Sequence, residues 1–229
     1  MIQKPARSPL PLFAPLLAGA TSRDRLVACV GALVAIALTA LVCHRLLPGA
    51  AVYLAAPIGA SAVLVFALPA SPLSQPWPVV GGNVVSALIG TLAAHLFARP
   101  EIAAGVAVAG AILGMSLLRC LHAAGGGTAL VTALPAPAVA ASGYAFALLP
   151  VALDAGLLVA IAILFHRFSG HSYPHRTVAR AATPVPVGFH REDVDRALAD
   201  MGETFDISRD DLDLLLSRAE HHAGARLTR

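Results

Sequence analysis

Gly59-Ala60-Ser61-Ala62 and Gly126-Gly127-Thr128-Ala129 nearly repeat each other, and their reading decides the fold. Each follows a long apolar run and opens a second one. That second run ends at a proline followed by alanine, Pro69-Ala70 in the first copy and Pro135-Ala136 in the second. Small residues carrying one hydroxyl at a helix start leave main-chain N–H groups open to a ligand. Gly59 to Leu68 is ten residues, about 15 Å of helix, and the second copy is similar. That is about half of the roughly 30 Å hydrocarbon core of a bilayer. Two half-length helices with glycine turns near the bilayer centre are therefore expected. The loops before them, 48–58 and 119–125, read as re-entrant, and irregular backbone at that depth must be buried in protein or line a wet cavity. Small-residue stretches also serve close helix packing, so a packing role stands beside the ligand role.

Composition sets the wider frame. The 229 residues are 57% hydrophobic and only 13% charged, with a mean hydropathy of +0.75. A soluble domain carries about 25% charged residues. Between Leu26 and Phe165 the only charged side chains are Arg45, Arg99, Glu101, Arg119 and Asp154. An integral membrane protein follows. Leu26 to Leu47 is too long for a signal-peptide core of about 7–15 residues and reads as a retained span. Cys29, Cys43 and Cys120 form no disulfide framework or metal-ligand spacing. The net charge of +3 sits beside membrane spans, where topology explains it without nucleic acid.

Six apolar segments run about 26–47, 52–68, 79–98, 101–118, 128–142 and 143–165. With a cytoplasmic N-terminus, the inside collects Lys4, Arg7, Arg23, Arg25, Arg119, Arg167, Arg176 and Arg180, and the outside keeps Arg45 and Arg99. That split obeys the positive-inside rule and puts both termini in the cytoplasm. Three segments per copy force the second copy to insert upside down. The expected fold is an all-α membrane protein with a 3+3 inverted repeat, a plan that places substrate near the midplane at the repeat interface. The chain divides into a flexible segment 1–22, a membrane domain 23–168, a linker 169–189 and a helical tail 190–229.

At these residues the chain resembles the HPP family of small integral membrane proteins. The stretch PIGASAVLVFALPASPLSQP at 57–76, continuing to Gly81-Gly82-Asn83, is similar to the family's most recognisable segment. The name motif, His-Pro-Pro followed by Ala-Gly-Ala-Thr-Ala-Leu, falls on His122 to Leu130, and FSGHSYPH at 168–175 is also similar. The resemblance covers about residues 20–180. Ala123 and Ala124 replace both name-giving prolines and Gly127 replaces an alanine. Trp77 stands where a basic residue is expected, and Asn83 where a His is common. The resemblance implies transport of nitrite, which family members carry in plastids and cyanobacteria. Helix N-termini suit such an anion, because they offset its lost hydration without a full opposing charge.

The expected substrate-binding set is Gly59, Ala60, Ser61, Gly126, Gly127 and Thr128, with His122 and Asn83. His122 either donates to the anion or stabilises its turn. Asn83 is the only Asn in the chain, and with Gln75 it flanks the loop before the third span, lining a cavity or bonding helix to helix. Asp154, near the middle of the last span, is a functional acid by default and the expected proton-coupling group; a structural acid is the alternative. His95 reads as interfacial. His166, His171 and His175, with Arg167 and Arg176, read as a juxtamembrane cluster for anionic lipid rather than a metal site. No nucleophile elbow, Walker loop or zinc-protease motif occurs, so no enzyme, cofactor or metal is expected.

In the tail, 190–202 patterns as an amphipathic helix through Val194, Ala197, Leu198 and Met201. Ser208 and Asp211 form a capping-box-like start for a second helix with Leu212, Leu215, Leu216 and Ala219 on its apolar face. Two short helices bury little core alone and should dock on the membrane domain, a second protomer or another domain. FDISRDDL at 205–212 is similar to a linker that, in part of the family, leads into nucleotide-sensing CBS domains. The chain ends at Arg229, so nucleotide regulation is expected to be absent from it. The expected whole is a small-anion transporter or channel, homodimeric, in a bacterial cytoplasmic membrane. The alternative is a non-transporting scaffold or sensor whose tail engages a partner.

Overall fold

The computed structural model describes residues 22–48, 54–176, 190–201 and 206–227. The expected flexible segment 1–22, apart from Ser22, and most of the 169–189 linker therefore lie outside the described residues. In chain order the helices are α1 (Ser22–Leu46), α2 (Ile58–Ala67), α3 (Pro76–Leu96), α4 (Pro100–Leu117), α5 (Ala123–Ala133), α6 (Pro137–Ser142) and α7 (Leu153–Ser169), then α8 (Arg191–Met201) and α9 (Arg209–Leu227) in the tail. A 3-10 turn, Pro72–Ser74, precedes α3, and the stretch Ala147–Ala152, kinked at Leu149 where the backbone is extended (φ −135°, ψ 106°), leads into α7. Among the described residues four helical segments are long and apolar enough to cross a membrane: Ser22–Leu46, Pro76–Leu96, Pro100–Leu117 and Ala147–Ser169, the last with that kink.

Proline and glycine punctuate this order. Pro76, Pro100 and Pro137 open α3, α4 and α6, where the missing N–H would have had no partner anyway. Pro69 and Pro135 hold α2 and α5 to 10 and 11 residues. Gly170, at φ 85°, closes α7 in the left-handed conformation that glycine adopts most readily. The expected fifth segment, 128–142, is in fact two helices. α5 starts earlier, at Ala123, because two alanines continue helically from an extended His122 (φ −141°, ψ 122°), and Pro135 and Pro137 break the chain before α6.

α3 is the centre of the membrane part, packed on both α4 and α5. Small residues permit the approach. A Cβ on Gly90 would lie 2.1 Å from Thr132 Oγ1 and 2.3 Å from the Ala129 carbonyl, so α3 and α5 touch backbone to side chain there. α4 offers Ala103, Ala107, Ala111 and Met115, one residue per turn, as its buried stripe. α1 packs on α2 and α7, closing a second core around Ala35, Ile58, Val65, Phe66 and Leu158.

The start of α9 is tied to this body. Ser71 Oγ donates to Asp206 at 2.8 Å, and His175 Nε2 lies 3.0 Å from Asp211, so α9 meets the 71–75 turn. Ser208 accepts the Asp211 N–H at 3.1 Å and bonds its carboxylate, forming the expected cap. The N-terminal end of α1 lies on the same side, with Asp24 3.5 Å from His171.

Candidate functional site

α2 and α5 set their N-terminal ends side by side: a Cβ on Gly127 would lie 3.7 Å from the Pro57 ring. Ser61 on α2 and Thr128 on α5 face inward there, 0% and 1% exposed. Asn83, from the first half of α3, stands between them and His122 caps α5; both are equally buried. The four side chains form one hydrogen-bonded chain. Thr128 Oγ1 donates to Asn83 Oδ1 at 2.6 Å, and Asn83 Nδ2 donates to Ser61 Oγ at 3.1 Å and to the Val79 carbonyl at 2.8 Å. His122 Nδ1 lies 2.8 Å from the Leu73 carbonyl, which only accepts, so that nitrogen carries the hydrogen. In the neutral ring Nε2 is then an acceptor, and the Ser61 hydroxyl donates to it at 2.8 Å. Buried polar groups in so apolar a setting need this degree of pairing.

The other expected residues are distributed differently. Gly59, Ala60 and Gly127 are exposed and Gly126 is half-buried, and a Cβ added at Gly59 or Gly126 would meet nothing within 4 Å. The hydroxyls rather than the glycines carry the contact. Close approach falls instead on Gly82, whose Cβ would lie 2.6 Å from His122 Cβ, and on Gly125, whose Cβ would lie 2.6 Å from Ser86 Oγ. Sequence reasoning gave no site role to Gly82 or Ser86 and found the Gly125–Gly127 run only a weak phosphate-cradle signal; the adjacency of Gly81-Gly82 to the sole Asn was the available signal.

Asp154 is fully buried at the start of α7 and does not hydrogen-bond the four-residue chain. Its Oδ1 accepts from Cys43 Sγ on α1 at 3.0 Å, and its Oδ2 accepts the Ala55 N–H at 2.7 Å. It thus ties α1 and α7 to the residues just ahead of α2. One turn back from Cys43 on the same face, the buried Thr39 hydroxyl has no partner among the described residues.

Around this core the 71–75 turn is a junction. Besides Leu73 and Ser71, it offers the Ser74 carbonyl to Tyr173 Oη at 2.9 Å and Gln75 Oε1 to the His175 N–H at 2.8 Å. Burial pushes the Tyr173 phenol above its ordinary range. The expected histidine cluster is kept only in part. His166 is buried, stacked on Phe66 and 3.3 Å from the Val65 carbonyl, with its ring centroid 6.0 Å from that of His171, which pairs with Asp24; His175 pairs instead with Asp211. Among the described residues no three His, Cys, Asp or Glu side chains converge as a metal site.

Residues 18–174 match the HPP transmembrane region. The chain is similar to two transmembrane proteins of Dictyostelium discoideum. One is 34% identical over 122 residues, 52% of this chain and 39% of that protein; the other is 32% identical over 120 residues, 50% and 42% respectively. The chain therefore spans less than half the length of these relatives. No solved structure matches it. With four membrane-length apolar helices, this is an integral multi-pass membrane protein.

Proposed function

Because the chain belongs to the HPP family of transmembrane proteins, we propose that it is a transporter or channel for a small inorganic anion, nitrite first and nitrate next. The observation that carries the reading is the side-by-side setting of the α2 and α5 N-terminal ends, with Ser61, Thr128, Asn83 and His122 joined between them. Helix N-termini favour negative charge; Gly59 and Ala60 leave the first turn of α2 unshielded by side chains, and in α5, which starts at Ala123, Gly126 ends the first turn and Gly127 follows it. The order long helix, short helix, long helix occurs twice, α1–α2–α3 and α4–α5–α7, which supports a 3+3 inverted repeat. In this reading the protein is a homodimer of a bacterial cytoplasmic membrane with both termini inside. Asp154 carries the coupling proton, one hydrogen bond from the chain entering α2.

The test is nitrite uptake into tight proteoliposomes, with and without a pH gradient. Saturable, gradient-stimulated uptake is expected. Ser61→Val with Thr128→Val removes both hydroxyls at nearly constant shape and breaks the chain that holds Asn83 and His122 between the helix ends, which should cut uptake at least about tenfold, about 1.4 kcal/mol. Wild-type uptake in that double variant refutes the site.

A second reading has its own support: a non-transporting scaffold or sensor. The tail is docked on the 71–75 turn, and α8 and α9 hold an apolar cleft of about 520 Å³ between Val194, Leu198, Ile207, Leu212 and Leu216. Cysteines placed at Ser61 and Thr128 separate the two. A transport cavity lets water-soluble thiol reagents reach them, and a packed scaffold does not.

A further inference from the structure

At the far end of α5 from His122, a cavity of about 200 Å³ lies among Thr91, Ala94, His95, Thr132, Pro135 and Val139. Thr91 and Thr132 are 5% and 2% exposed, and both hydroxyl hydrogens are committed. Thr91 donates to the Ala87 carbonyl at 2.9 Å, and Thr132 donates to the carbonyls of Thr128 and Ala129, each at 3.2 Å. His95 Nδ1 donates to the Thr91 carbonyl at 2.7 Å, so the neutral ring offers a lone pair at Nε2. The polar side chains lining this cavity are therefore acceptors.

The main chain adds to the same sign. α3 and α5 both end beside the cavity, and helix C-termini carry partial negative charge, while the start of α6, which also lines it, has its Val139 and Ala140 N–H groups already bonded to the Ala136 carbonyl. The Val131 carbonyl would normally take the N–H of residue 135, but Pro135 has none. Pro69 leaves the Val65 carbonyl in the same position at the end of α2, and there His166 Nε2 donates to it at 3.3 Å. No hydrogen bond among the described residues reaches the Val131 carbonyl. The two copies differ at this point: one acceptor is filled by an imidazole, and the other is left over in the last turn of α5, although Val131 itself does not line the cavity.

We propose that this cavity binds a small monovalent metal cation of the sodium class. No carboxylate lines it, which disfavours divalent ions that rely on Asp and Glu oxygens. Its volume matches the liquid share of about six waters, room for an ion that keeps part of its hydration. A cleft of about 440 Å³ shares Ala94 and Pro135 with it and provides an entry. Binding here stands by itself; a coupling role, with the cation at one end of α5 and the anion at the other, rests on the transporter reading.

The experiment measures thermal unfolding of the purified full chain in sodium chloride against choline chloride at equal ionic strength, without nitrite, together with equilibrium binding of radiolabelled sodium. Sodium at ten times Kd should raise Tm by about 3 °C, with one ion bound per chain. Thr91→Val with Thr132→Val should lose both signals, and Thr91→Ser with Thr132→Ser should keep them. No bound sodium in the wild type, or an equal shift in the valine variant, overturns the proposal. Since nitrite is left out, a negative uptake experiment leaves this result intact, and a negative sodium result leaves the anion reading intact.

Discussion

Replacing Asn83 by Leu tests whether the buried chain of hydrogen bonds is a working unit. Leu fills the site with a branched side chain of the same length that neither donates nor accepts. The variant loses the Thr128–Asn83 bond of 2.6 Å and the Asn83–Ser61 bond of 3.1 Å. The groups left behind have fallbacks. Thr128 Oγ1 is already 3.3 Å from the Ala124 carbonyl, and Ser61 keeps His122. Two interhelical side-chain bonds at about 0.6 kcal/mol each, the membrane-protein average, give roughly 1.2 kcal/mol. For a chain of this size that is a fall in Tm of about 2–5 °C. With the exposed Cys29 replaced by Ser, the protein supplies its own reporters, since Cys43 and Cys120 are free and buried and react with a thiol-specific fluorophore only on unfolding. Nitrite uptake should fall at least about tenfold in the same variant, far beyond what so small a stability change explains. A Tm within about 1 °C of wild type would show that the bonds carry no weight. A fall beyond about 10 °C would show that Asn83 acts as a packing element and that uptake losses say nothing about the site.

Asp154→Asn should fold with a Tm near wild type, because the amide oxygen can still accept the Ala55 N–H and the amino group can face the weakly accepting Cys43 sulfur. Its uptake should no longer respond to a pH gradient; a retained response makes Asp154 a structural tie between α1, α7 and the entry to α2. Gly90→Ala should destabilise by about 1–3 kcal/mol, read as a lower Tm, since a rotamer change cannot relieve the 2.3 Å approach to the Ala129 backbone. Gly105→Ala, where nothing lies within 4 Å, should hold or raise Tm through helix propensity alone, and equal effects at the two sites would refute the close-approach argument.

Local rules carried the reading of this chain where a single residue decides an outcome. Pro69 and Pro135 cannot donate to a preceding helical turn, so the shortness of α2 and α5 was legible before any contact was known. Scarcity worked in the same way. A lone Asn and a few hydroxyls in an apolar run must find one another, and Ser61, Asn83, His122 and Thr128 do. What stayed hidden depends on distant parts of the chain. The Leu73 carbonyl that orients His122 lies 49 residues away, and the Val65 carbonyl that takes His166 out of the expected lipid-facing role lies 101 away, with the Phe66 ring beside it. Glycine misled for a related reason. Local sequence marks Gly59 and Gly126, but only packing shows that Gly31, Gly82, Gly90 and Gly125 are among the positions where a side chain has no room.

The same geometry constrains how an anion could be held. With His122 neutral, the hydroxyl hydrogens of Ser61 and Thr128 point at His122 Nε2 and Asn83 Oδ1, and neither is free for a ligand. A protonated His122 would donate from Nε2 instead. Ser61 would then have to turn its hydrogen elsewhere, and the Pro57 carbonyl, 3.4 Å away at the N-terminal end of α2, is in place to take it. Adding a proton thus brings one positive charge to the two helix ends that already favour an anion and reverses one hydrogen bond, with no helix moved. On the transporter reading, His122 is then a second place, beside Asp154, where a proton can accompany the anion, and the Leu73–His122 bond is the fixed point about which the exchange turns.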